Sequence, residues 1–242
     1  MEFLTSPEFW VALGQIIVID ILLGGDNAVV IALACRKLPP AQRTKGIIFG
    51  TAGAIVLRVI LIAFAMTLLN IPFLKLVGAI LLVWIGVKLL APDDEGHGDI
   101  QGSDKLLAAI KTIIVADLVM SVDNVIAIAG AAQNAGDHSM LLVVLGLLIS
   151  IPIIVWGSQL VIKLMERFPL IITAGGMLLG WIAGGMLVTD PAFANPDQWQ
   201  WMFKLPQSDA IKYAASVAGA LLVLVIGKIM ASRRAPHGAS HG

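Results

Sequence analysis

Residues 16–27 read IIVIDILLGGDN, and residues 113–124 read IIVADLVMSVDN. The two stretches are offset by 97 positions, and each holds two aspartates and an asparagine inside a long apolar run. The same offset aligns Pro72 with Pro169 and Trp84 with Trp181. Apolar identities between leucine-rich helices arise easily by chance, whereas polar residues in one register do not. The sequence therefore predicts an internal duplication.

The composition places this duplication in a membrane. The chain has 242 residues, of which 58% are apolar and 13% charged, and its mean hydropathy is +0.92. Soluble domains carry about 25% charged residues, so a soluble globule and a disordered chain are excluded. A single cysteine, Cys35, excludes a disulfide-stapled domain. Zero net charge, with no basic run longer than two residues, argues against nucleic-acid binding. An integral membrane protein in contact with lipid is predicted.

Seven apolar stretches are long enough to cross about 30 Å of hydrocarbon as helices. They are 9–34, 46–69, 73–91, 106–132, 141–164, 171–188 and 210–230. Continuous apolar runs exclude a β-barrel, whose strands would alternate with a period of two. The predicted fold class is all-α, a polytopic membrane protein with seven transmembrane helices.

Each copy of the duplication would contain three spans, an odd number, so the second copy enters the membrane from the opposite side. Inverted repeats are typical of secondary transporters, with the substrate site at mid-membrane between the repeats. The predicted division is a first three-helix repeat (9–91), an acidic cytoplasmic linker (92–105), a second, inverted repeat (106–188), an extracytoplasmic interfacial loop (189–209), a seventh helix (210–231) and a disordered cytoplasmic tail (232–242).

The distribution of positive charge predicts the orientation, because loops rich in Lys and Arg stay in the cytoplasm. With alternating spans, twelve of the sixteen Lys and Arg residues lie on one side and three on the other. The sixteenth, Arg58, lies inside a span. The prediction is a multi-pass protein of the inner (plasma) membrane, with its N-terminus outside and its C-terminus in the cytoplasm.

Four carboxylates lie in apolar spans: Asp20 and Asp26 in the first, Asp117 and Asp123 in the fourth. Each would cost about 2.5–3.5 kcal/mol if it faced lipid, so they are expected to face one another or water. One interpretation is structural, through hydrogen bonds between helices. The other is an ion site, which intramembrane ionisable residues usually mark.

Helix geometry gives Gly24-Gly25 a supporting role. In a straight helix, Asp20 and Asp26 would point about 120° apart. Paired glycines hold a helix poorly, so a break there would turn both carboxylates inward and free backbone carbonyls as ligands. Close helix packing through small residues is the alternative. The second copy has MSV at residues 120–122, which predicts a break in one copy only.

Arg58 also has a supporting role, because it lies about 17 Å from either end of its span, too far to reach the interface. It is expected to pair with one of the aspartates. It would then favour the charged form of that carboxylate or occupy the site when an ion leaves, and a purely structural ion pair is the alternative. Its counterpart in the second copy is Val155.

The ligand types restrict the cargo. Carboxylate and amide oxygens suit hard divalent ions such as magnesium, calcium and manganese. No histidine occurs in any span, and Cys35 sits at a span end. These facts argue against zinc or copper.

At the two motifs GGDNAVV (24–30) and MSVDNVIAIAG (120–130), the chain resembles the TerC family of integral membrane proteins. The resemblance covers about residues 9–231. It implies a place in the lysine-exporter superfamily, with manganese(II) export as the activity. It assigns the ion-binding positions to Asp20, Asp26, Asn27, Asp117, Asp123 and Asn124.

The sequence therefore predicts a transporter, not an enzyme. It would export a divalent cation, with manganese(II) as the first candidate. Protonation of the aspartates would release the ion, in exchange for protons. No prosthetic group is expected, and a homo-oligomer is left open. Two alternatives remain: an exporter of small organic cations or amino acids, and a non-transporting membrane scaffold in metal or tellurite resistance.

Overall fold

The computed structural model describes residues 7–64, 71–91, 102–133, 139–194 and 205–234. Among these residues there are helices and turns but no strand, which confirms the all-α class. The helices are α1 (Pro7–Leu23), α2 (Gly25–Cys35), α3 (Pro40–Ala63), α4 (Leu74–Leu90), α5 (Gly102–Gln133), α6 (Ser139–Arg167), α7 (Leu170–Val188), α8 (Pro191–Ala194) and α9 (Asp209–Arg234).

Four of these helices are long and apolar enough to cross a membrane, namely α3, α6, α7 and α9. The pair α1 and α2 passes the same test when taken together, which gives up to five candidate spans among the described residues. Each of the seven predicted stretches falls on a helix or on this pair, except that residues 65–69 lie outside the described part. The count of seven spans and the inverted relation of the two copies stay predictions.

Large apolar side chains cover the outside of the helix bundle. Leu22, Trp156 and Leu170 are 75%, 67% and 78% exposed. Such a surface would promote aggregation in water, but it matches the hydrocarbon of a bilayer. The exposed surface therefore agrees with a multi-pass membrane protein.

The first predicted span is broken at Gly24, where α1 and α2 meet at an angle of 48°. A Cβ atom on Gly24 would lie 2.4 Å from the backbone oxygen of Asp20, so the bend requires a glycine. Gly25 has open space around it, which argues against close packing as the reason for the glycine pair. The second copy has no such break, because α5 is continuous through residues 120–122.

Packing is strongest between the two predicted repeats rather than within either. Helix α3 packs on α5, α4 packs on α7, and α6 packs on both α1 and α2. The contact of α3 with α5 corresponds, at the 97-residue offset, to that of α6 with α1 and α2. The main apolar core lies along these contacts and includes Leu33, Leu82, Ile113 and Leu179.

Helix α9 packs so closely on α7 that a side chain at either of two glycines of α7 would collide with the backbone of α9. A Cβ atom on Gly180 would lie 2.3 Å from the carbonyl oxygen of Gly219, and one on Gly184 would lie 2.0 Å from that of Ala215. Small residues let membrane helices approach closely and gain van der Waals contact. The helix outside the duplication is therefore held against the second repeat.

Asp190, which follows α7 in the chain, lies at the start of α4 in the structure. It is fully buried, and its carboxylate accepts hydrogen bonds from the backbone N–H groups of Phe73 at 2.9 Å and Leu76 at 3.0 Å. Phe73 precedes the helix with a positive φ of 65°. Helix N-termini leave such N–H groups without helical partners, so Asp190 caps α4 from a distant part of the chain.

Three predicted connecting segments are partly helical. Helix α5 begins at Gly102, inside the predicted acidic linker, with Asp104 in its first turn, where negative charge is favourable. The predicted interfacial loop contains α8 and the first residue of α9. Helix α9 continues to Arg234, so the predicted tail begins as helix. Residues 92–101, 195–204 and 235–242 of these segments lie outside the described part, and residues 189, 190 and 205–208 are described but not helical.

Candidate functional site

Arg58 lies at the centre of a buried charged cluster. It reaches from α3 to two other helices, and its Nη1 donates to Asp20 Oδ1 on α1 while its Nη2 donates to Asp117 Oδ1 on α5. The three residues are 3%, 1% and 7% exposed. The structure therefore brings one predicted site residue from each repeat to the same guanidinium group.

Ser121 completes the cluster. Arg58 Nε donates to Ser121 Oγ at 3.0 Å, and this hydroxyl in turn donates to Asp117 Oδ2 at 3.1 Å. Asp117 and Ser121 are four residues apart and so share a helix face. At the 97-residue offset, Ser121 corresponds to Gly24. The first copy thus has a bend where the second copy has a hydroxyl group in the site.

The cluster carries a formal charge of −1, from two carboxylates and one guanidinium. Buried ion pairs repay their desolvation only when further hydrogen bonds satisfy the remaining atoms. That condition is met at Asp117, both of whose carboxylate oxygens accept hydrogen bonds. It is not met at Asp20, whose Oδ2 is buried and has no hydrogen-bond partner in the described part of the chain.

A small cavity, lined by four polar and six apolar residues, adjoins the cluster. Its volume is about 20 Å³, and Arg58, Asp117, Asn27 and Thr51 line it together with apolar side chains such as Ile154. The amide nitrogen and oxygen of Asn27 and the hydroxyl of Thr51 are buried and lack hydrogen-bond partners within the described residues. Space for about one water molecule, with several polar groups around it, is what a small polar occupant needs.

The other predicted site residues are not all part of this cluster. Asp26 is partly buried in the first turn of α2, where its Oδ1 accepts a hydrogen bond of 2.8 Å from the backbone N–H of Asn27. Asn124 is partly buried on α5, and the side chain of Asp123 lies outside the described part. Among described side chains, no three of the His, Cys, Asp or Glu types are placed to hold a metal ion. The predicted six-residue set is therefore brought together only in part.

Sequence reasoning missed Thr51 and Ser121. Thr51 precedes Arg58 by seven residues, two helical turns, so the two side chains lie on one face of α3. Ser121 has the four-residue spacing to Asp117 noted above. In both cases the available signal was a polar residue in an apolar span, on the same face as a charged one.

Comparison with known proteins identifies relatives along most of the chain. The family model described as "Integral membrane protein TerC family" matches residues 5–235. The "Uncharacterized membrane protein YjbE" of Bacillus subtilis is 48% identical over 184 residues, covering 76% of this chain and 82% of that protein. The "UPF0053 inner membrane protein YgdQ" of Escherichia coli is 27% identical over 190 residues, covering 69% and 76%. No solved structure matches this chain.

Proposed function

This chain belongs to the TerC family of integral membrane proteins, and on that premise we propose that it exports a divalent cation, manganese(II), from the cytoplasm. One observation carries the proposal: Asp20 and Asp117, from apolar helices of different repeats, converge on one buried point beside this cavity. Ionisable residues inside a membrane are costly and mark ion pathways. In this proposal the protein is a transporter and not an enzyme.

The donor atoms around this point favour a hard cation. Asp20 and Asp117 supply the negative charge and the oxygen ligands, and Asn27 and Thr51 border the cavity beside them. Oxygen ligands of this kind suit manganese and magnesium, whereas zinc and copper prefer nitrogen or sulfur. Two carboxylates match the charge of one divalent ion. Asp26, which is only partly buried at the bend, would lie on the route by which the ion reaches them.

The size of the cavity separates this proposal from the export of organic cations. A volume of about 20 Å³ accommodates one water molecule or one small ion. An amino acid such as lysine needs apolar room beside the carboxylates, and isoleucine side chains fill the space around the cavity. A metal cation is therefore the better fit. Release of the ion on protonation of the aspartates, in exchange for protons, is part of the proposal.

Replacement of either site aspartate by asparagine tests the role of the charge. Asp20→Asn and Asp117→Asn keep the side-chain shape but each removes one negative charge. Charges about 4 Å apart interact by about 4 kcal/mol at an effective dielectric constant of 20. We therefore expect each variant to bind manganese at least a hundredfold more weakly and to lose flux. Manganese efflux from proteoliposomes that contain the purified protein is the measurement.

Asp209→Asn is the matched control, because Asp209 is exposed at the start of α9, away from the cluster. Its flux should equal that of the wild type. Wild-type flux in the double variant Asp20→Asn/Asp117→Asn would contradict the proposed site. A wild-type protein that moves no ion under any gradient would favour the scaffold alternative, and competition by lysine but not by manganese would favour the organic-cation alternative.

A further inference from the structure

The guanidinium group of Arg58 occupies the position that a transported cation would take. Its two terminal nitrogens donate to the two carboxylates from which the proposed ion site is built. We propose that Arg58 is an internal counter-cation of the transport cycle: it holds the Asp20–Asp117 pair when no cargo is bound, and it moves toward Asn27 and Thr51 when the cargo binds. This inference rests on the proposed function.

The charges of the site favour this role for Arg58. Without Arg58, an empty site would hold two buried negative charges close together, which is costly in a low-dielectric interior. With Arg58 in place the net charge is −1, and a divalent ion on the two aspartates would bring their sum to zero. The arginine and the cargo can therefore replace each other as partners of the same carboxylates. Because both are positive and need the same oxygen atoms, they exclude each other from that position.

The displaced guanidinium would move to two buried polar groups, on Asn27 and Thr51. Asn27 Oδ1 and Thr51 Oγ1 are buried hydrogen-bond acceptors without partners among the described residues, and both line the cavity that Arg58 itself borders. Side chains on a helix lean toward its N-terminus, and Thr51 lies two turns N-terminal to Arg58 on the same face of α3. The cavity of about 20 Å³ that these acceptors border leaves room for a short displacement of the guanidinium group.

Arg58 and Thr51 occur in one copy of the duplication only. The residue that corresponds to Arg58 at the 97-residue offset is Val155, and Thr51 corresponds to Leu148. A site made only of duplicated parts would have two equivalent halves. Here the first predicted repeat supplies the cation and both acceptors to which it would move, and neither Arg58 nor Thr51 has a polar counterpart in the second.

Manganese binding to the purified protein tests the inference directly. In Arg58→Gln the competing charge is gone, so we expect the dissociation constant for manganese to fall at least tenfold, since loss of one charge a few Å away is worth more than that factor. Net manganese efflux should decrease, because the empty site has lost its counter-cation. Exchange of manganese for manganese across the membrane does not require the empty protein to change its orientation, so it should persist. A purely structural role for Arg58 predicts instead that exchange is lost together with net efflux.

Two further variants complete the experiment. Arg58→Lys keeps the charge but replaces a planar fork with a single point charge, so it should fold even if Arg58→Gln does not, and should bind manganese more tightly than the wild type. Arg43→Gln is the matched control: Arg43 pairs with Glu166 away from the cluster, and its loss should leave binding unchanged. Folded Arg58 variants that bind manganese no more tightly than the wild type would overturn this inference alone. A wild-type protein that neither binds nor moves manganese would overturn the proposed function as well.

Discussion

The absence of a side chain at Gly24 allows the bend between α1 and α2. A Cβ atom there would lie 2.4 Å from the backbone oxygen of Asp20, whereas one on Gly25 would meet nothing within 4 Å. We expect Gly24→Ala to lower the free energy of unfolding by about 1–3 kcal/mol and to impair flux, because the bend places Asp20 and Asn27 at one site. Gly25→Ala is the control and should be nearly neutral. Thermal unfolding in detergent distinguishes the two, and equal effects would contradict the role of the bend.

Asp190 is a second residue whose replacement has a defined consequence. Its carboxylate accepts the N–H groups of Phe73 and Leu76 at the buried start of α4. Asp190→Ala leaves these donors unsatisfied, so we expect a loss of about 1–3 kcal/mol in the free energy of unfolding. Asp104→Ala, at an exposed helix start, should cost much less. Manganese affinity should not change in either variant, since Asp190 is not part of the charged cluster.

The site residues differ in how far the sequence could predict them. Asp20, Asp117 and Arg58 stand out because charged residues are rare in apolar spans. That both aspartates bind the same arginine depends on how three helices pack, which spacing along one helix cannot give. Thr51 and Ser121 are ordinary polar residues until their neighbours are known. The sequence therefore predicts that Arg58 pairs with one aspartate, whereas in the structure it pairs with two.

Among the helix contacts, that of α7 with α9 can be tested most directly. Gly184 lies so close to Ala215 that any side chain would push the helices apart. We expect Gly184→Val to lower the free energy of unfolding by about 1–3 kcal/mol or more. Gly14→Val on α1 is the matched control, since nothing lies within 4 Å of a Cβ atom there. Comparable melting temperatures for the two variants would show that the close approach is not needed.

Helices were the most predictable elements, because long apolar runs bounded by prolines leave the backbone no other way to satisfy its hydrogen bonds in lipid. The bend at Gly24 was one of two interpretations of the glycine pair. The choice between them required the position of the Asp20 carbonyl group. The extensions of α5 and α9 into predicted connections were missed because charged residues at helix ends resemble linker sequence.

For the whole molecule, the charge distribution predicts which way the chain faces. Thr44 lies exposed near the start of α3 among basic residues, and Ser208 lies exposed before α9, on the other predicted side. A membrane-impermeant maleimide should label Ser208→Cys in intact cells, and Thr44→Cys only in inside-out vesicles. The wild type serves as the control, because Cys35 is fully buried and should not react. Labelling of Thr44→Cys from outside would reverse the predicted orientation.

The glycine contact of α7 with α9 has a further consequence for how the protein is made. Helices leave the ribosome in chain order, so Gly180 and Gly184 enter the membrane before residues 215–219 have been synthesised. Until then, α7 presents to lipid a groove that small residues leave open, and such grooves pair membrane helices with one another. A nascent chain that ends before residue 209 would therefore expose a face of α7 that tends to pair with other helices. In the folded protein α9 covers this face. Helix α9 covers this groove only once it has been synthesised, so release of the chain before α9 forms should produce self-associating fragments.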